Sequence, residues 1–250
     1  MLSTDKIQQF HTDGYLVLDP CLEQNYVQTL GDRVRRIADG EVDFPETCIE
    51  YEPGASGRGM KNLRKINGLS EHDEFFVDHA RRPPLLEAIV DLLGADIKLF
   101  GDQLFMKPPG GIEKTYHQDC PYFSIAPMAM ITTWVAIDEV DEENGCMYVI
   151  PGSHNFGAVD HSEPWIVGTR RDMRIPDAVI DRQRERPITL REGGCSFHHG
   201  LLQHRSGPNR TDRFRRGLAT HYMSAQSCWT GDAAQPAYHL LHGREYEGCV

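Results

Sequence analysis

The chain opens with short amphipathic stretches. Ser3 or Thr4 can cap a first helix in which the apolar Ile7 and Phe10 share a face, and Gly14 ends it before the strand-like run Tyr15-Leu16-Val17-Leu18. A longer helix is predicted from about Glu23 to Ala38, closed by Gly40. Between Gly40 and Gly59 the sequence carries Pro45, Pro53 and Gly54 without any period, which reads as an irregular loop of the kind that covers sites. Two more helices are expected, around Glu71–His79 and Pro84–Leu93, the second started by Pro83-Pro84 and stopped by Gly94.

From Ile97 onward the texture changes. Short runs rich in Phe, Ile, Val, Thr and Trp are punctuated by Pro-Pro-Gly-Gly at 108–111, Glu-Asn-Gly at 143–145, Pro-Gly-Ser at 151–153 and Gly-Gly at 193–194. That is the pattern of an antiparallel sandwich or barrel. The expected architecture is mainly β with flanking helices, in one domain over 1–250: helices over about 1–95, then a β-jelly roll over about 96–225. A charged insert at about 155–186 interrupts the β texture with Arg170, Arg171, Arg174, Arg182, Arg184 and Arg186. It reads as a solvated, partly helical surface, with recognition of an anionic substrate as the competing reading.

Composition narrows the class. Apolar residues at 40% and charged residues at 25% fit an ordinary globular protein with ample material for a core. The formal charge of −11 excludes a typical nucleic-acid surface, which needs clustered cations to displace counterions from phosphates. The N-terminal residues form no basic stretch leading into an apolar one, and no 18-residue apolar run follows, so no membrane association is expected and the chain reads as cytoplasmic. Its seven cysteines are scattered and never form Cys-x-x-Cys, so they read as reduced thiols used as small hydrophobes.

The chemistry concentrates in two segments. His117-Gln118-Asp119 falls at an expected strand end, where residues i and i+2 share a face, so imidazole and carboxylate can meet one metal ion. Two histidines and one carboxylate with open positions characterise oxygen-activating non-haem iron(II) sites. A second match, His11-Thr12-Asp13, sits at a helix end beside Gly14 and reads as turn chemistry. The third ligand must be a distant histidine. In Phe197-His198-His199-Gly200-Leu201-Leu202-Gln203-His204, followed by Ser206-Gly207-Pro208-Asn209, a strand ending in His204 and a return strand opening with Arg215 would stand side by side. An arginine fork suits the far carboxylate of a chelating dicarboxylate, and Gly217 and Ala219 on its face would leave room for a small molecule. His198 shares strand parity with His204 but would lie roughly 20 Å away along one strand.

At these residues the sequence resembles the phytanoyl-CoA dioxygenase family of iron(II)/2-oxoglutarate oxygenases. The resemblance runs in order through Asp102–Gly111, Tyr116–Asp119, Thr133–Ile137, Asn144–His154 and the His204-to-Arg215 block, and covers roughly Phe10 to Ser227. It implies a double-stranded β-helix, the cupin-like jelly roll, with His117, Asp119 and His204 as iron ligands. It also implies Arg215 as the clamp on 2-oxoglutarate, helped by Ser206, and Trp134 as a wall of that pocket. Gln103, Lys65 and Gln118 fall where further co-substrate contacts are expected. The implied reaction consumes O₂ and decarboxylates 2-oxoglutarate to succinate while hydrogen is removed from a substrate C–H, with hydroxylation the default outcome. Retention of Asp119 disfavours halogenation, whereas desaturation, epoxidation or ring formation would depend on how a small-molecule substrate is placed. Two rivals use the same residues differently: a zinc hydrolase, and a jelly-roll binding module with a vestigial metal site. Neither accounts for an intact ligand set together with Arg215. The substrate, from CoA thioesters to free metabolites, and the oligomeric state are not legible.

Overall fold

In the computed structural model the first helix, α1 (Thr4–Asp13), is capped by Ser3 and ends on Gly14 in the left-handed conformation at φ 79°. β1 (Tyr15–Leu18) and α2 (Gln24–Ala38) follow as expected. The stretch read as an irregular loop is partly ordered, because β2 (Ile49–Tyr51) pairs with β3 (Leu63–Asn67). The helix expected over 71–79 is two, α3 (Leu69–His72) and α4 (Glu74–Ala80). Asp73 between them leaves helical geometry to cap α4, its carboxylate accepting from Phe75 N at 3.2 Å. α5 (Pro83–Leu93) starts on the proline pair. The structure describes residues 1–167 and 170–250. Of Arg170 and Arg171 it describes the backbone alone, so the surface reading of those two side chains lies outside the described residues.

The rest of the chain is mostly β: β4 (Ile97–Lys107), β5 (Lys114–His117), β6 (Ile125–Ala126), β7 (Met130–Ala136), β8 (Met147–Val149), β9 (Glu163–Val167), β10 (Arg170–Arg174), β11 (Arg186–Ile188), β12 (Cys195–His199), β13 (His204–Ser206), β14 (Arg215–Ser224), β15 (Cys228–Trp229) and β16 (Leu240–His242). Among the described residues these form a large antiparallel sheet, ordered β1-β12-β7-β14-β4-β3-β2 with β16 on β4, and a smaller one, ordered β11-β8-β13-β5. This is the expected jelly roll. The N-terminal β1 and β2 close the two ends of the large sheet, so helices and β core interleave rather than divide near residue 95.

Both faces of the central strands are buried. Ile131, Val135, Leu218, Tyr222, Leu104 and Met106 join Val27, Leu30, Val34, Leu85 and Ile89 of α2 and α5 in the main core. Each fully buried side chain of this kind contributes ~1.5–3 kcal/mol. The alternate positions, Thr132 and Trp134 on β7 and Arg215, Ala219 and His221 on β14, line the space between the two sheets. An ordinary amphipathic strand turns its polar side to water. Here that side faces the interior, and the interior is where the chemistry gathers.

Among the described residues the charged insert is a β9–β10 hairpin followed by two short 3₁₀ helices, so the helix expected in part of it is 3₁₀ rather than α. Ile175 and Ile180 bury beneath it against Tyr116 and Ile150. Arg174 pairs with Glu163 and Asp177, and Arg182 with Asp177, which agrees with the solvated reading. All seven cysteines are free. Among the described residues, no helix is long and apolar enough to cross a membrane.

Candidate active site

His117 ends β5, His204 opens β13, and the two are directly opposed across that strand pair. Their ring centroids lie 4.2 Å apart. Asp119 is past the strand: its backbone is helical (φ −76°, ψ −49°) at the start of a 3₁₀ turn. The turn, not the two-residue period of a strand, brings the carboxylate back. Its Oδ1 lies 3.8 Å from His117 Nε2 and 3.6 Å from His204 Nε2. Ligand atoms of the three residues all fall within 4.8 Å of one another, the only such metal-ligating group among the described residues.

The protonation states suit a metal. His117 Nδ1 lies 2.9 Å from Thr115 O, and His204 Nδ1 2.9 Å from Leu202 O. A carbonyl only accepts, so each Nδ1 carries the proton and each Nε2 lone pair is free for a ligand. Burial drives His204 down to about 4, and burial with the neighbouring His204 and Lys114 holds His117 well below the usual imidazole range. Both are therefore neutral near pH 7, as ligation requires. Burial opposes ionisation of Asp119, but His204 and the hydrogen bond from His198 outweigh it and hold the carboxyl well below the usual range.

Two expectations about this region fail for one reason. His198 is not about 20 Å from His204; their ring centroids are 4.9 Å apart, and His198 Nε2 lies 3.2 Å from Asp119 Oδ2. The chain does not run on as one strand. It turns at Gly200, where a Cβ would come 2.3 Å from Cys120 Sγ, and Leu202 N donates to His199 O at 2.8 Å. β12 and β13 thus belong to different sheets. β13 and β14 do too, so His204 and Arg215 are not hairpin neighbours; they line one cleft from its two sheets.

That cleft encloses about 750 Å³ including its open mouth, and the triad, Trp134, Ser206 and Arg215 all line it. Arg215 is 3% exposed, and its Nε has no hydrogen-bond partner among the described residues. Burial lowers its guanidinium to about 10, which leaves it charged at neutral pH. A buried cation costs several kcal/mol unless compensated. The compensation present is the face of Trp134, 5.3 Å from the guanidinium. The indole also fills the space expected to be open beside Gly217: a Cβ there would come 1.8 Å from Trp134 Cζ2. Gly217 makes room for the tryptophan rather than for a ligand.

Sequence reasoning misses Lys107. It pairs with Arg215 across β4 and β14, is 6% exposed, and donates to Ser206 Oγ at 2.8 Å and to Gly207 O. The signal that could have found it is parity, since it shares the interior face of β4 with Gln103 and Phe105. The Asn144-Gly145 turn wraps it: a Cβ on Gly145, at φ 91°, would meet Gly207 O at 2.5 Å and Lys107 Cδ at 3.1 Å.

The remaining expected contacts do not line the cleft. Gln118 is wholly buried as a clasp. Its Nε2 donates to Gly157 O at 2.9 Å and Leu201 O at 2.6 Å, and its Oε1 accepts from Val159 N. These three hydrogen bonds hold the side chain between the two ligands away from their site. Gln103 pairs with Ala219, and Lys65 pairs with Phe105 with its Nζ 5.3 Å from that ring; it is their partners that line the cleft. Burial lowers Lys65 to about 8. His199 lies against His154, apart from the triad, and His11 and Asp13 sit in the last turn of α1.

Two neutral imidazoles, one carboxylate oxygen and a buried arginine with an unpartnered Nε in the same cleft fit a divalent iron and a chelating dicarboxylate. The family sequence model described as Phytanoyl-CoA dioxygenase (PhyH) matches residues 10–217. The peroxisomal phytanoyl-CoA dioxygenase of Rattus norvegicus is 28% identical over 236 residues, spanning 90% of this chain and 69% of its own. Among solved structures, the non-heme monooxygenase ThoJ in its apo form superposes with a TM-score of 0.78 at 24% identity, over 98% of this chain and 86% of its own. EctD from S. alaskensis, with 2-oxoglutarate and 5-hydroxyectoine, does so with a TM-score of 0.78 at 20% identity, over 99% and 86%. The chain therefore belongs to the phytanoyl-CoA dioxygenase family of iron- and 2-oxoglutarate-dependent oxygenases.

Proposed function

We propose that this protein, as a single domain, hydroxylates an unactivated C–H bond of a small organic metabolite with conversion of 2-oxoglutarate to succinate. The observation that carries the reading is Arg215, a buried guanidinium with an unpartnered Nε in the same cleft as the His117–Asp119–His204 group. The zinc-hydrolase reading leaves that buried cation unexplained. Iron(II), when bound, supplies the activation of O₂ that is coupled to oxidative decarboxylation of the co-substrate.

The residues divide the work. His117, Asp119 and His204 would hold the ion on one side and leave the opposite side open. Arg215 and Ser206 would hold the distal carboxylate of 2-oxoglutarate. Lys107 already donates to the Ser206 oxygen, so the serine proton is free to point at that carboxylate. Trp134 walls the pocket and, with the covering strands, keeps water away from the reacting atoms. The 2-oxoglutarate and 5-hydroxyectoine held by EctD, a co-substrate and a hydroxylated small molecule, support the same kind of outcome here. The seven free thiols support a reducing, cytoplasmic setting.

The test is turnover in air. Protein supplied with iron(II), 2-oxoglutarate and a panel of small metabolites should release succinate, faster with an accepted substrate than without. No succinate above a His204→Ala control under any of these conditions would overturn the proposal.

A further inference from the structure

We propose that His198, Thr132 and His221 are positioning residues that reserve a single oxygen of Asp119 for the metal. The inference rests on the metal-site reading above. The three residues stand in register across adjacent strands, Thr132 of β7 being the direct partner of His198 on β12 and of His221 on β14. All are buried, at 2%, 1% and 4% exposure for His198, Thr132 and His221. From this row two donors converge on one atom: Thr132 Oγ donates to Asp119 Oδ2 at 2.8 Å, and His198 Nε2 donates to the same oxygen at 3.2 Å. An ionised carboxylate has no proton to give, so both groups must be donors.

Counting protons extends the chain by one residue. A threonine hydroxyl has one proton, and Thr132 commits it to Asp119. Its 2.8 Å contact with His221 Nδ1 must therefore be a bond it accepts, which places the His221 proton on Nδ1. His221 thus locks the hydroxyl rotor toward the carboxylate. Asp119 is left with Oδ1, the atom nearest both ligand imidazoles.

The consequence is coordination number. A carboxylate with both oxygens free can chelate and occupy two positions. With Oδ2 tied down, the protein occupies three positions of an octahedron and leaves three, the number that a bidentate 2-oxo acid and O₂ need together. Outer partners of this kind characteristically affect metal affinity about 10- to 100-fold.

Cobalt(II) binding to the apo-protein tests this without turnover. Thr132→Val and His198→Phe should each raise the cobalt dissociation constant about 10- to 100-fold and change the intensity of its visible ligand-field bands. Thr132→Ser and His198→Gln, which restore a donor, should recover both. Wild-type affinity and spectrum in folded Thr132→Val and His198→Phe, or a loss that Ser and Gln fail to recover, would overturn the proposal. Should Thr132→Val not fold, the His198→Phe and His198→Gln pair decides alone. A wild-type protein that binds no cobalt would overturn the metal site itself, whereas intact binding with indifferent variants overturns only the clasp.

Discussion

At the scale of single residues, the site is a set of buried side chains whose charges and protonation states suit a metal ion and a carboxylate. Arg215 is the clearest case, charged, buried and backed by an indole rather than a carboxylate. Arg215→Ala should weaken 2-oxoglutarate binding by the value of a charge-assisted pair, ~1.5–3 kcal/mol, or roughly ten- to a hundredfold in dissociation constant, measured by anaerobic titration of the metal-loaded protein. Arg215→Lys should not restore it, because an ammonium cannot grip a carboxylate with a planar fork. Lys107→Met should have a smaller effect in the same titration, since Lys107 acts through Ser206. That Arg215, Trp134 and Ser206 would stand in one cleft was legible because their types and order match a known pattern. Lys107 and His198 were not, because one carries a residue type common on surfaces and the other was placed on one continuous strand with His204, whereas the chain turns at Gly200.

At the scale of elements, β14 and β7 are locked together by Trp134 lying in the gap left by Gly217. Gly217→Ala would overpack that gap and should cost about 1–3 kcal/mol, seen as a lower melting temperature, with a displaced Trp134 and weaker 2-oxoglutarate binding. An unchanged melting temperature would mean that the indole moves at no cost. α1, α2 and α5 were readable because each has local signals, a cap, a proline pair or a terminal glycine. The central strands gave only a β texture, since a strand buried on both faces loses the alternation that marks its inner side. The turn that carries Asp119 and the turn at Gly200 escaped for a related reason. Both depend on close contacts across the fold, such as Gly200 against Cys120, that no local pattern records.

At the scale of the whole molecule, buried histidines set the response to acid. Burial lowers His79 to about 3 and His199, His204 and His221 to about 4, so all four are neutral in the fold at pH values where an unfolded chain would protonate them. The unfolded state then binds more protons, and stability must fall as pH drops from about 6.5 toward 4. Asp102 works in the opposite sense: burial raises it to about 7, so its contribution declines as pH rises from about 4 to 7. Four groups outweigh one, and the apo-protein should melt at progressively lower temperature through that acid window, less steeply in His79→Gln. A flat or reversed profile would contradict this. The central claim, one site that holds both an iron and a 2-oxo acid, is tested most directly by the visible charge-transfer band that such a chelate produces. Iron(II) and 2-oxoglutarate added without oxygen should generate the band in the wild type, none in His204→Ala, and a band requiring more 2-oxoglutarate in Arg215→Ala; no band in the wild type, or the same band in all three, would contradict the account.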